Sequence, residues 1–198
     1  MSEEALLEEK RRLRAQMMAR RRAIPAGERA AASHAMCEAF AALPQYRTAR
    51  TVFAYASMPE EVQLDALLAR ALADGKRVLI PWITGRGTME AVELPSLDVL
   101  ERGAYGIRNV PERLRRVVAP EEIDLAVVPG AAFTAEGARL GLGGGYYDRY
   151  LGVRARGAYR VALAFDALLV DRVPMAAHDI DVAEILTESR HLICRKKR

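Results

Sequence analysis

The segment Ile123-Asp-Leu-Ala-Val-Val128 constrains the fold more than any other stretch of this 198-residue chain. Apolar residues follow one another without the alternation of a half-exposed strand, so both faces of this strand must be covered. That requires a central strand with a layer on either side. The rest of the chain supplies the parts. Thr51–Tyr55, Arg77–Ile80, Arg160–Ala164, Val182–Thr187 and His191–Cys194 read as further strands, and Met89–Leu94 as a short one. Pro81 is expected to close the strand before it. Helical patterns over Ser2–Arg22, Gly27–Leu43, Val62–Ala73 and Tyr146–Leu151 alternate with them. The stretch from Leu94 to Pro120 is irregular apart from a turn of helix near Leu97. This alternation implies an α/β fold, a mainly parallel sheet with helices on both faces in a Rossmann-like three-layer arrangement. With 51% hydrophobic residues, no internal repeat and no Ser- or Pro-rich linker, one domain over residues 1–198 is expected.

The formal charge of +4 suggests a polyanion partner only until it is located. Residues 1–22 hold seven basic and four acidic residues, and the last four residues are all basic, leaving 19 basic and 22 acidic in the body. A body that grips a nucleic-acid backbone should be basic. No nucleic-acid partner is therefore expected, and the C-terminal run reads as a solvated tail. Cys37 and Cys194 stand far apart without metal or redox spacing, which fits a reducing cytoplasm. No apolar run approaches membrane-spanning length, and the charged N-terminus is unlike a signal peptide.

The first helix is bounded by Ser2 with Glu3 and Glu4 at its start and by Pro25 and Gly27 at its stop. Leu6, Leu13 and Met17 form its apolar stripe, and the position that completes the stripe is Lys10, with Arg14 one turn beyond. An inward Lys is either paired in a polar pocket or snorkels at the stripe's edge. Arg20-Arg-Arg22 reads as a solvated helix end favourably placed on the helix dipole. Met17, Met18 and Met36 read as core, and His34, His178 and His191 have no metal-ligand spacing.

Ligands of such sheets lie beyond the carboxyl ends of strands. After the central strand the chain reads Arg139-Leu-Gly-Leu-Gly-Gly-Gly-Tyr-Tyr-Asp148, with four glycines in five residues leading into a helix. Open backbone N–H groups and a helix start at one point can hold phosphate. A merely flexible turn is the other reading, since neither a Walker A loop nor a G-x-G-x-x-G fingerprint is present. Arg139 supplies a cation before the loop. Asp148 supplies a carboxylate after it, which is either a Mg²⁺ ligand or an ordinary first-turn acid.

Arg139 to Arg149, preceded by Asp124-Leu-Ala-Val-Val-Pro-Gly130, closely resembles the nucleotide-binding signature of the 5-formyltetrahydrofolate cyclo-ligases. The resemblance runs along nearly the whole chain. Lys10-Arg-Arg-Leu-Arg14, Ser57-Met-Pro-Glu-Glu-Val62, Gly75 to Pro81, Tyr105-Gly-Ile107 and Pro174 through His178-Asp179 to Thr187 resemble family segments in order.

The resemblance implies an enzyme that uses ATP and Mg²⁺ to convert 5-formyltetrahydrofolate, with or without a polyglutamate tail, to 5,10-methenyltetrahydrofolate. Lys10, Arg14, Arg139, Leu140, Gly141, Leu142, Gly143, Gly144, Gly145, Tyr146 and Tyr147 would bind ATP, with Lys10, Arg14 and Arg139 also catalytic. Asp148 and Asp179 would hold Mg²⁺. Ala56, Glu61, Leu142, Gly143, Gly144, Gly145 and Tyr146 would contact the folate. A cytoplasmic monomer without membrane partners is expected. Ala183, Trp82 and Leu142 depart from the family pattern, which puts folate contacts near Trp82 in question. Two other readings stay open: a sugar-phosphate isomerase-like enzyme, and a nucleic-acid-binding module working through the Arg-rich first helix.

Overall fold

The computed structural model describes residues 2–103 and 106–194; Tyr105 and the basic run 195–198 lie outside the described residues. Helix α1 spans Glu3–Ala23, capped by the Ser2 hydroxyl, which accepts from the Ala5 N–H at 3.2 Å. Helices α2 (Ala26–Ala42) and α3 (Pro44–Thr48) follow; Pro44 occupies the first helical position, where a missing N–H costs nothing. Helix α4 covers Asp65–Ala73, later than the expected start at Val62. The backbone of 62–64 is engaged elsewhere. The Val62 carbonyl, which a first turn starting there would need as an acceptor, accepts instead from the Ser57 hydroxyl at 2.8 Å, and Gln63 N and Leu64 N donate to Ser33 Oγ at 3.0 Å and Ser57 Oγ at 2.9 Å.

The main sheet contains β1 (Thr51–Phe53), β2 (Arg77–Gly85), β3 (Thr88–Glu93), β6 (Val117–Val118), β7 (Leu125–Val127), β10 (Tyr159–Leu163), β11 (Glu184–Leu186) and β12 (His191–Ile193). Two small hairpin pairs, β4 (Glu101–Arg102) with β5 (Arg108–Asn109) and β8 (Ala132–Phe133) with β9 (Arg139–Leu140), stand outside it. The order is β12-β11-β10-β7-β1-β2-β3-β6. Strands β11, β10, β7, β1 and β2 are mutually parallel, while β12, β3 and β6 join antiparallel. The sheet is thus mixed and mostly parallel, with β7 central.

Pro81 does not close β2. The strand runs on to Gly85 and pairs with β3 through Pro81↔Ala91. The Leu79 carbonyl accepts from Ala54 N at 2.9 Å, so Leu79 turns its polar groups toward β1. The period of two puts those of Pro81 on the same side, past the end of β1, where no ladder needs its missing N–H. Asn109 Nδ2 donates to the Pro81 carbonyl there at 2.7 Å.

Alternation along each strand feeds two apolar layers. Val52, Val78, Leu125, Val127 and Val161 meet Met17, Met36, Phe40 and Leu67 of α1, α2 and α4. Phe53, Leu79, Ala126, Val128 and Ala162 meet Tyr150, Leu151 and Ala155 on the opposite face. Phe40, Met17 and Met36 are fully buried; each such side chain is worth about 1.5–3 kcal/mol of transfer free energy. The sequence passes from β1 to β2 in one direction and reaches β7 on the other side of β1. The order therefore reverses between β1 and β7, and a crevice forms beyond their carboxyl ends.

Candidate active site

The segments that leave β7 and β1 at this switch point build two adjoining clusters. The first is a cavity of about 700 Å³ lined by α1, the glycine loop, the short helix after it and the turn at 176–180. Lys10 is buried and ion-paired with Asp179, which explains a cation on the inward stripe. Arg14 Nε donates to the Gly141 carbonyl at 2.9 Å, fixing α1 to the loop. Arg139 is 3% exposed, donates to the Pro129 carbonyl at 3.0 Å and pairs with Asp148.

The loop geometry depends on glycine. Gly143 has φ +108° and Gly145 φ +64°, conformations that side chains resist. Helix α5 after the loop is a single turn, Tyr146–Arg149, passing into a π-helical turn over Tyr150–Arg154. The helix expected over Tyr146–Leu151 is therefore present, but only its first turn is α-helical. One turn aligns too few peptide dipoles for a macrodipole. The positive charge in the cavity comes instead from Lys10, Arg14 and Arg139.

The two carboxylates are arranged alike. Asp148 Oδ1 accepts from Arg139 and from Ile180 N at 3.1 Å; Asp179 Oδ2 accepts from Lys10 and from Ala176 N at 2.6 Å. Each thereby commits one oxygen to the protein, and Asp148 Oδ2 lies on the Gly141 side. Burial works to raise the Asp179 carboxyl, but the Ala176 N–H and the Lys10 ammonium outweigh it and hold the group below the usual carboxylate range. Burial also lowers the Arg14 guanidinium, which Asp179 partly restores. Among the described residues no three His, Cys, Asp or Glu form a metal cage. The second oxygens, Asp148 Oδ2 and Asp179 Oδ1, accept no protein hydrogen bond among the described residues, although His178 Nε2 lies 3.8 Å from the latter; two such carboxylates fit a Mg²⁺ ion that takes its remaining ligands from phosphate and water.

The second cluster lies where the chain leaves β1. Glu61 is buried, and its Oε2 accepts from Met58 N at 2.9 Å. Burial raises its carboxyl, opposed by that N–H and by Arg21. Tyr55 and Tyr147 face the same carboxylate, and burial followed by the Glu61 charge raises both phenols. Ala56 is buried beside them. Leu142, Tyr146 and Tyr147 do not line the first cavity; Leu142 is exposed, and the Tyr147 ring lies 6.0 Å from that of Phe53.

Arg21 was hidden in the run Arg20-Arg-Arg22 and is not part of a solvated helix end. It is 6% exposed and faces Glu61. Continuing the Lys10, Met17 stripe by four residues reaches it, and that spacing was the available signal. The Trp82 ring is taken up by the Arg115 guanidinium, 4.6 Å from its centroid. His191 Nε2 lies 2.5 Å from the buried Glu184 carboxylate, consistent with a structural part. No helix among the described residues is long and apolar enough to cross a membrane.

A cation-lined, glycine-cradled cavity at the switch point of a mostly parallel sheet defines an α/β enzyme for an anionic ligand. Comparison with known proteins makes the class specific. The 5-formyltetrahydrofolate cyclo-ligase family model matches residues 7–188, and the chain belongs to that family. It is 31% identical to the mouse 5-formyltetrahydrofolate cyclo-ligase over 189 residues, covering 90% of this chain and 93% of the relative. It is also 31% identical to the Mycolicibacterium smegmatis cyclo-ligase over 190 residues, covering 93% and 96%. The NMR structure of the Aquifex aeolicus 5,10-methenyltetrahydrofolate synthetase superposes with a TM-score of 0.83 at 32% identity, over 96% of this chain and 94% of that one.

Proposed function

We propose that the chain converts 5-formyltetrahydrofolate to 5,10-methenyltetrahydrofolate, consuming ATP in the presence of Mg²⁺ and releasing ADP and phosphate. A formamide is a poor electrophile because its nitrogen donates into the carbonyl. In this reading the formyl oxygen attacks the γ-phosphorus of ATP, the bond to the β,γ-bridging oxygen breaks, and ADP leaves. The formyl carbon then bears a phosphate leaving group. N10 attacks that carbon and gives up its proton, the carbon–oxygen bond breaks, and the ring closes as an amidinium. No protein nucleophile is needed, because N10 belongs to the same molecule and gains from proximity.

The protein's part is placement and charge. Lys10, Arg14, Arg139 and the backbone of residues 139–147 hold the polyphosphate. Asp148 and Asp179 hold Mg²⁺ through the oxygens they do not commit to the protein; when bound, the ion supplies neutralising charge for the phosphates. Ala56, Glu61 and residues 142–146 contact the folate.

The observation that carries this reading is the convergence of three basic side chains, a positive-φ glycine loop and two half-committed carboxylates in one cavity, in a chain of this family. The test is the near-ultraviolet absorbance of protein mixed with 5-formyltetrahydrofolate, ATP and MgCl₂. The product's conjugated amidinium should appear as a new long-wavelength band that requires both ATP and Mg²⁺. A folded, ATP-binding protein that gives no band would place the substrate elsewhere. No band and no ATP binding would defeat the phosphate-loop reading itself.

A further inference from the structure

The salt bridges around the site are not built alike. Lys10 with Asp179 and Arg139 with Asp148 are direct hydrogen-bonded pairs. Arg21 Nη1 stands 4.0 Å from Glu61 Oε1, although both side chains are more than nine-tenths buried. Arg21 Nε is also buried without a hydrogen-bond partner. A pair kept only for stability closes to hydrogen-bond distance, because a buried charge left imperfectly paired is costly. Held at 4.0 Å, the guanidinium supplies charge without occupying the Glu61 oxygen that faces it.

Glu61 needs such a counter-charge. Its surroundings are Met58 N on its own loop, Tyr55 at the end of β1, Tyr147 on α5, and Glu60, which repels it and meets Arg22 at 3.5 Å. Arg21 is the cation turned toward Oε1, and a guanidinium stays charged at every physiological pH. Helix α1 sets the spacing. Lys10 and Arg21 lie on one face about 16 Å apart at 1.5 Å per residue, so one helix serves both clusters.

We propose that Arg21 is a positioning residue for folate recognition: it keeps Glu61 anionic in its buried seat and leaves Oε1 free to accept from N–H groups of the pterin ring. This rests on the proposed function, in which Glu61 contacts the folate. An ionised Glu61 can accept from substrate N–H groups at Oε1 while Oε2 keeps the Met58 N–H; a protonated one carries a donor where an acceptor is required.

The test is the pH dependence of kcat/KM for 5-formyltetrahydrofolate between pH 5 and 9, in wild type, Arg21→Gln, Arg21→Lys and Glu61→Gln. Loss of the cation favours the protonated acid, so Arg21→Gln should move the acidic limb to higher pH. Its kcat/KM at pH 6 should fall about tenfold or more and recover toward alkaline pH, since a nearby opposite charge shifts a carboxylate by about 1–3 units. The KM for ATP should stay within about twofold, because Lys10, Arg14 and Arg139 are intact. Arg21→Lys should keep the wild-type limb, and Glu61→Gln should abolish it. If Arg21→Gln does not fold, a Glu61→Gln enzyme that retains the wild-type limb overturns the assignment. Arg21 variants that lose thermal stability while their limb stays in place also overturn it. A wild-type enzyme without turnover instead defeats the proposed function, and this inference with it.

Discussion

At the residue scale the site depends on how each charge is paired. Arg139 is 3% exposed and answers Asp148, so neutralising either partner strands the other in a poorly solvated place. Arg139→Gln should lose about 3–5 kcal/mol of stability, read from denaturant unfolding. Asp148→Asn should cost the fold a comparable amount, because an amide oxygen can still accept from Ile180 N but leaves the buried Arg139 charge unanswered. Its turnover should fall about 10²–10³-fold, and saturating MgCl₂ should not restore it; undiminished turnover would refute the metal assignment. Asp179 yields a pH prediction. Its folded-state carboxyl is held low, so it binds protons less readily folded than unfolded. The stability it contributes is present above the ordinary carboxylate value of about 4 and is lost as pH falls through the lower folded value. Melting temperatures from pH 5 to pH 2 should fall less steeply in Lys10→Met than in wild type, because the Lys10 contribution to that shift is gone. The inward Lys10 was legible in the sequence because one cation interrupts an apolar stripe. Arg21 was not, because its neighbours Arg20 and Arg22 are exposed and three arginines in a row look uniformly solvated.

At the scale of elements, glycine placement decides whether the cradle keeps its shape. A Cβ on Gly143 would meet only ordinary contacts with Arg14 at 3.6 Å and beyond, so the cost of Gly143→Ala is its φ of +108°. That is about 1–2 kcal/mol, enough to redistribute the loop. A Cβ on Gly145 adds a clash, 2.8 Å from Arg149 Nη1. Arg149 donates to the Gly144 carbonyl and, through Nε, to the Gly87 carbonyl at 2.7 Å, joining the loop to the β2–β3 turn. Gly145→Ala should therefore weaken ATP binding more than Gly143→Ala does, by calorimetric titration; the reverse order would mean that the Arg149 contact does not hold the loop. The long elements and the loop were readable from period and composition. The two-residue strands β4, β5, β6, β8 and β9 were not, because so short a run has no period to detect. The extension of β2 through Pro81 was hidden for another reason: it depends on which neighbour the missing N–H faces, and that is a property of the sheet.

At the scale of the whole molecule, α1 is the element that joins the parts. Its inward face reaches Asp179 and the glycine loop through Lys10 and Arg14, the core through Met17, and Glu61 through Arg21. The residues before Lys10 are largely exposed, so the N-terminal half of this helix is attached mainly by polar contacts at the cavity. Such a segment opens at lower free energy than the core strands. The alternation of strands and helices announced the sheet and its two covered faces, but it could not show that one helix spans both clusters, since that follows from where α1 packs. ATP with Mg²⁺, held by Lys10, Arg14 and the loop together, would bind the closed arrangement and not the opened one. At ligand a hundredfold above its dissociation constant, closure then gains about 2.7 kcal/mol, or roughly a hundredfold slower exchange wherever opening breaks the site. Hydrogen exchange with and without Mg·ATP should show this slowing in amides of residues 6–14, with α2 little changed. Equal exchange in both segments would mean that the nucleotide does not engage α1, and that Lys10 and Arg14 serve the fold alone.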